Sequence, residues 1–248
     1  MANSILGKDV VIERGDKIVV AKSDFEIPLG KITAIIGPNG SGKSTILHAI
    51  AGLLEVKSGE ISLPETSKIS YVMQYTAIPV GAPLSVREAV TMGRWKSLKL
   101  WQKPSKQDRE IVSNALKRLD IEDLADRHLS ELSGGQRQRV YVAQGIAQDH
   151  DLLFLDEPLT GLDLNSAGVI DDLIHDEPAQ GHSVVLTTHD LAEAQAADYV
   201  ILMAGKVIAH GLPAEVLTIE NLNVAYGLTG LHHDHNNAGF PDLDPHHG

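Results

Sequence analysis

The nine residues from Gly37 to Thr45, GPNGSGKST, fit the pattern G-x-x-x-x-G-K-[ST], with Gly37, Gly42, Lys43 and Ser44 at its four fixed places. The run before them, Ile32 to Ile36 (ITAII), is short, apolar and mostly β-branched. The run after them, Ile46 to Leu54 (ILHAIAGLL), spaces its apolar residues as a helix does. A strand, a tight loop and a helix are therefore predicted in succession. Glycines at Gly37, Gly40 and Gly42 let successive backbone N–H groups turn inward around phosphate oxygens, and the helix amino end adds its own N–H groups and dipole to the same anion site. Lys43 is placed to reach β- and γ-phosphates, and the Ser44 hydroxyl to hold Mg²⁺.

Composition bounds the remaining possibilities. The 248 residues are enough for one large domain or two modest ones. A formal net charge of −12 argues against a primary role in binding nucleic acid. No apolar run approaches the length that spans a bilayer, and the opening MANSILGKDV has neither the charged nor the apolar region of a signal peptide, so a cytosolic chain is expected. The absence of cysteine excludes disulfides, thiolate metal sites and thiol catalysis.

Around the loop, Val10 to Phe25 holds short apolar runs broken by the turn signal Gly15-Asp16. Ser58-Gly59-Glu60 opens two further extended runs, Ile61 to Leu63 and Ile69 to Met73. Together these are expected to form a small antiparallel sheet beside the main core. From Ser85 to Asp126 the chain is expected to be helical: Ser85-Val86-Arg87-Glu88 is a capping-box pattern, and Ile111 to Leu119 is amphipathic. Leu132 to Arg139, LSGGQRQR, reads either as a second anion-binding helix start or as a plain helix cap. Asp151 to Leu155 (DLLFL) is a buried-strand pattern that delivers Asp156 and Glu157 at its carboxyl end, and in an open parallel sheet that edge is the ligand crevice. There Asp156 is placed to hold Mg²⁺ through a water, and Glu157 to orient and deprotonate an attacking water. Val184 to Thr188 is another buried strand and delivers His189; Tyr199 to Met203 and Lys206 to Ala209 read as a closing hairpin through Ala204-Gly205.

In this order and at these separations the motifs resemble the ATP-binding subunit of ABC transporters, from Val10 to about Leu217. GPNGSGKST matches Walker A, Gln74 the Q-loop residue, LSGGQ (Leu132 to Gln136) the signature, LLFLDE (Leu152 to Glu157) Walker B, Gly161-Leu162-Asp163 the D-loop and His189 the switch histidine. The resemblance implies an α/β fold with a P-loop NTPase (RecA-like) core, a mostly parallel sheet, a small antiparallel β subdomain and a helical signature subdomain at about 75–145. The ATPase domain would span 1–230. It implies ATP and Mg²⁺ as ligands, with Pro38, Asn39, Ser41 and Thr45 completing the phosphate loop and Ser44, Gln74 and Asp156 serving the metal. Glu157, His189, Gln74 and Lys43 would be catalytic. Two copies would close head to tail, so that Ser133, Gly134, Gly135, Gln136 and Asp163 of one complete the nucleotide site of the other. Membrane permease subunits would dock near residues 75–100, where Trp95 and Trp101 are possible anchors. The chain would act at the cytoplasmic face of the membrane, with an extracytoplasmic binding protein as an indirect partner. An aromatic residue usually stacks on adenine in this family; here that position falls on or near Arg14, which offers its guanidinium plane, with Val11, Ile12 or Val20 as apolar alternatives.

The segment 231–248, LHHDHNNAGFPDLDPHHG, carries His232, His233, His235, His246 and His247 with Asp234 among them. It reads either as a transition-metal-binding tract or as a solvated tail. SVREAVTMGRW, ELSGGQRQRVYVAQGIAQ and LPAEVLTIENLNVAYG are similar to ATPases of zinc and manganese uptake systems, with iron-siderophore, haem or cobalamin importers as the alternative. A soluble ATPase of this family acting on nucleic acid or ribosomes would carry a long coiled-coil insertion or two fused units, and neither is present.

Overall fold

A computed structural model describes residues 4–64, 67–73, 83–97 and 103–227. In chain order its strands are β1 (Ser4–Arg14), β2 (Lys17–Pro28), β3 (Ile32–Ile36), β4 (Ser58–Ser62), β5 (Ile69–Val72), β6 (Leu152–Asp156), β7 (Ser183–Thr188), β8 (Tyr199–Met203) and β9 (Val207–Gly211). The helices are α1 (Lys43–Ile50), α2 (Val86–Thr91), α3 (Lys106–Arg118), α4 (Gly134–Ile146), α5 (Leu164–Asp176), α6 (Leu191–Ala196), α7 (Pro213–Val216) and α8 (Ile219–Tyr226).

The runs ITAII, LLFLD and SVVLTT are buried at every position, the mark of central strands covered on both faces. They belong to a six-stranded sheet of order β5-β6-β7-β3-β8-β9, parallel except for the final β8–β9 hairpin. Alternation along each strand sends Ile36, Leu155 and Leu186 into one core with Val90, Leu116, Val140 and Ile170 from α2 to α5. Ile35, Phe154, Val185 and Ile201 enter a second core with Ile46 and Leu47 of α1 and with Ile12 and Ile27 of β1 and β2. The fold is thus the expected α/β class: a mostly parallel sheet with helices on one face, and on the other α1 and a three-stranded antiparallel sheet of order β2-β1-β4.

The run Ile69–Met73 corrects an expectation. Instead of joining the antiparallel sheet, β5 lies at the edge of the parallel one, pairing Ile69 with Leu152 and Val72 with Leu155. Its entry is fixed where the Lys68 carbonyl accepts from the Asp151 and Leu152 N–H groups and the Asp151 carboxylate accepts from the Lys68 N–H. A four-residue run such as ISYV carries no mark of which sheet it joins, because its partner is distant in the chain. Arg14 and Lys17 face each other across the predicted Gly15-Asp16 turn, and Gly15 has φ +60°, a backbone conformation that glycine adopts at no steric cost.

Helices appear where the Ser85 capping box predicts one, and again at Lys106, where Ser105 and Asp108 form a second box. Asp108 also accepts from Arg94 Nε at 3.0 Å, and Arg94 Nη1 donates to the Ala147 carbonyl at the end of α4. One buried guanidinium therefore ties the start of α3 to the end of α4. Hydrogen bonds from the Ser105 hydroxyl and N–H, then from Arg94, hold the Asp108 carboxyl at about 2. A folded pKa below the ordinary 3.8 adds stability that is fully present above about pH 4 and is lost as pH falls through about 2. Asp108→Ala removes the cap and strands the arginine, at an expected cost of about 2 kcal/mol or more at neutral pH. Denaturant unfolding of the two proteins at stepwise lower pH should show that gap closing.

Candidate active site

The strand order sets the site. β7 lies between β3 and β6, and its register pairs Ile36 with Thr188 and Asp156 with Thr187. The three carboxyl ends are therefore level, and the residues that follow them (the phosphate loop, Glu157 and His189) emerge on one edge, where open parallel sheets bind ligands.

Within the loop, Gly40 and Gly42 have φ +80° and +98°. Gly37 is required for a different reason. A Cβ on it would lie 2.1 Å from the Met203 carbonyl oxygen and 2.9 Å from Ser41 Oγ, so the loop could not seat against β8. Helix α1 starts at Lys43 with Gly42 as its N-cap, and no side chain caps it, so its first N–H groups are not taken by a capping group. Asn39 and Gly40 are exposed, Pro38 is half-buried, and Ser41, Gly42 and Thr45 are buried. Lys43 is buried and Nζ donates to the carbonyls of Gly37 at 3.0 Å and Pro38 at 3.3 Å. Burial lowers its pKa, against the opposing pull of Glu157 and Asp156.

Asp156 is buried, and its Oδ1 accepts from the Ser44 hydroxyl at 2.8 Å and the Thr187 hydroxyl at 2.6 Å. Thr187 Oγ1 in turn accepts from the Glu157 N–H at 2.9 Å. Glu157 has φ +47°, a conformation that non-glycine residues reach at a cost when their surroundings enforce it. Its carboxylate lies 3.9 Å from Lys43 Nζ through Oε1 and 3.8 Å from His189 Nδ1 through Oε2, and Oε2 accepts from the Thr160 hydroxyl at 3.2 Å. His189 is half exposed. Lys43, Ser44, Asp156, Glu157 and His189 are thus brought together, as the sequence predicts. Thr187 and Thr160 were not foreseen; Thr187 is one of three hydroxyl residues in β7, SVVLTT, and nothing local sets it apart from Ser183 and Thr188.

The second helix start is α4. Ser133 caps it in a reciprocal box with Gln136, and Ser133 and Gly134 are exposed. Gly135 is buried against α5: a Cβ there would lie 2.4 Å from Ser166 Oγ and 2.6 Å from Asp163 Oδ2. Asp163 caps α5 by accepting from the Ser166 N–H. Arg14 stands on the rim of α1, where Nη2 hydrogen-bonds His48 Nδ1 at 3.0 Å, and the His48 ring stacks on Tyr71 at 5.3 Å. Trp95 is exposed. Gln74, Trp101 and the tail residues His232, His233, Asp234, His235, His246 and His247 lie outside the described residues.

A phosphate-binding loop and acidic strand ends on a parallel sheet define a P-loop nucleoside triphosphatase. The family model described as ABC transporter matches residues 20–160. The chain is 36% identical over 226 residues to the manganese transport system ATP-binding protein MntB of Bacillus subtilis (strain 168), covering 88% of this chain and 90% of that protein. It is 38% identical over 226 residues to the zinc transport system ATP-binding protein TroB of Treponema pallidum (strain Nichols), covering 88% and 85%. Among solved structures, a metal-chelate type ABC transporter in an inward-facing conformation superposes with a TM-score of 0.82 at 30% identity, over 91% of this chain and 90% of that one. The chain belongs to the ABC transporter family, binds nucleotide and is an ATPase. No helix among the described residues is long and apolar enough to cross a membrane.

The Thr187 hydroxyl links Asp156 to the Glu157 backbone. Thr187→Val removes both hydrogen bonds at once, and an expected loss of about 1–3 kcal/mol in stability follows from the buried groups left behind. Steady-state ATP hydrolysis should fall by more than nucleotide affinity does, and Thr187→Ser should restore both.

Proposed function

We propose that this ATPase sits at the cytoplasmic face of the membrane and powers a permease that imports a divalent metal ion, zinc or manganese. The named functions of the manganese and zinc relatives, each aligned over most of both chains, support the metal. The observation that carries the hydrolytic assignment is the carboxylate of Glu157, within 4 Å of both Lys43 and His189 at the edge of the sheet.

In this reading the phosphates lie in the loop from Gly37 to Thr45, with Gly40 and Gly42 turning N–H groups toward them. Lys43 exchanges the carbonyls of Gly37 and Pro38 for β- and γ-phosphate oxygens. The converging Ser44 hydroxyl and Asp156 carboxylate are hard oxygen donors that suit Mg²⁺. Ser44, Asp156 through a water, and Gln74 would hold that ion, which supplies charge neutralisation along the phosphates. Glu157 takes a proton from the attacking water as its oxygen bonds to the γ-phosphorus and ADP leaves. His189 orients the γ-phosphate and the Glu157 carboxylate. Arg14 is the proposed contact on the adenine side.

The exposed amino end of α4 is proposed as the other half of the site in a second copy. Ser133, Gly134, Gly135 and Gln136 would present N–H groups and the helix dipole to the γ-phosphate, with Asp163 beside them at the junction. ATP then holds two copies together and hydrolysis releases them, a ligand-biased two-state change transmitted to the permease through the surface that includes Trp95. Metal accumulation in a strain lacking this protein tests the cargo: loss of zinc or manganese uptake is expected, and loss of iron-siderophore, haem or cobalamin uptake instead would replace the metal assignment.

Glu157→Gln should lower ATP turnover by about 100-fold or more while retaining ATP affinity, and should accumulate a nucleotide-bound dimer in size-exclusion chromatography. Normal turnover would remove Glu157 from the role of base. Lys43→Ala should weaken nucleotide binding by about tenfold or more, read by equilibrium titration, with the folded-state circular dichroism unchanged.

A further inference from the structure

At the opposite ends of β6 and β7 from the nucleotide, a second group of ionisable side chains meets inside the protein. Pairing of Leu152 with Ser183 aligns the approach to β6, which carries His150, with the approach to β7, which carries His182. Between them comes Glu177, at the end of α5. A tight turn follows it, in which the Gln180 and His182 N–H groups both donate to the Glu177 carbonyl and Gly181 takes φ +88°. That turn folds His182 back over the Glu177 side chain.

His150 Nε2 lies 3.0 Å and His182 Nδ1 2.7 Å from Glu177 Oε2, and the two rings are 4.5 Å apart. All three donor atoms lie within 4.8 Å of one another. Glu177 is wholly buried, His150 nearly so, and His182 partly exposed. His182 borders an open cavity of about 360 Å³ that Arg94, Gln148 and Asp149 also line, which offers an entry path and room for a water ligand. Glu177 Oε1 faces Arg118 Nη1 of α3 at 2.7 Å. Burial pushes the Glu177 carboxyl up, but the bonds from His150 and His182 and the charge of Arg118 outweigh it and hold it at about 2.

The two nitrogens of His150 face two acceptors, the Gln148 carbonyl at 2.9 Å from Nδ1 and the Glu177 carboxylate at Nε2. A neutral imidazole has one N–H and can satisfy only one of them. The other side must carry either a second proton or a cation. Ligating histidines commonly donate their remote N–H to a backbone carbonyl, which is the position of Nδ1 on Gln148. Tetrahedral zinc, with ligand bonds of about 2.0–2.2 Å, sets its donors about 3.4 Å apart, so each of the two nitrogen–oxygen pairs, now 3.0 and 2.7 Å, would open by roughly half an ångström. We propose that His150 Nε2, Glu177 Oε2 and His182 Nδ1 form a binding site for a divalent first-row transition-metal ion, Zn²⁺ above all, with water in the fourth position. Two imidazoles and one carboxylate are a donor set for such an ion. The site is separate from the Mg²⁺ site at Ser44 and Asp156, since β6 alone spans about 17 Å, and it does not depend on which substrate the transporter carries.

The test uses the full-length chain with His232, His233, His235, His246 and His247 replaced by asparagine, so that these histidines do not compete for metal. Titration with Zn²⁺ against a chromophoric chelator should show one tightly bound equivalent. Its affinity should fall at least about tenfold on His182→Ala and on Glu177→Gln, with circular dichroism confirming the fold. Co²⁺ in the same protein should give the d–d absorption of a four-coordinate nitrogen and oxygen site, absent in His182→Ala. No bound equivalent, or one held equally tightly in both variants, would overturn the proposal and leave the cluster as a hydrogen-bonded His–Glu–Arg network.

Discussion

The Asp156 carboxylate joins three strands of the sheet at its working edge. One oxygen accepts from Ser44, which follows β3, and from Thr187 of β7, while Asp156 itself ends β6. A buried carboxylate must be hydrogen-bonded or it destabilises the fold by several kcal/mol. Here its partners are supplied by the register that brings the catalytic candidates to one level. Satisfying that carboxylate and assembling the site are therefore one structural condition. The same constraint explains the positive φ of Glu157, whose N–H is held on Thr187.

The two faces of the sheet divide the work. One core binds α1 and the β1–β2 hairpin to the strands and so fixes the phosphate loop; the other binds α2 to α5 and so fixes the amino end of α4. Both helix starts are thus referred to one sheet. The α4 start is backed by Asp163 and Ser166 and leaves Ser133 and Gly134 exposed, which is the arrangement that a site shared between copies would need. Arg94, bonded to both Asp108 and the Ala147 carbonyl, keeps the helices of that face in a fixed relation.

Local chemistry was legible in the sequence and long-range pairing was not. The phosphate loop demands glycines and a lysine at set spacing, and the buried strands show as short, largely apolar runs, so Gly37 to Thr45, Asp156, Glu157 and His189 could be picked out as candidates. The sheet to which Ile69–Val72 belongs depends on Asp151, 83 residues beyond Lys68, and nothing in the run itself records it. The role of Thr187 depends on facing Asp156 across a strand pair. His150, Glu177 and His182 are isolated letters in the sequence and meet only because β6 and β7 align. The N-terminal reach of β1 to Ser4 also went unread, because Ser4 to Asp9 alternates too weakly to mark a strand.

The central proposal is that each catalytic site is completed by the signature residues of a second copy. Mixing full-length His189→Ala with full-length Ser133→Arg tests it most directly, because one of the two sites in the mixed dimer would draw every intact part from the pair. The account predicts that each variant alone hydrolyses ATP poorly and that the mixture regains a substantial fraction of wild-type turnover. Wild-type turnover by Ser133→Arg alone, or no recovery on mixing despite dimer formation, would contradict it.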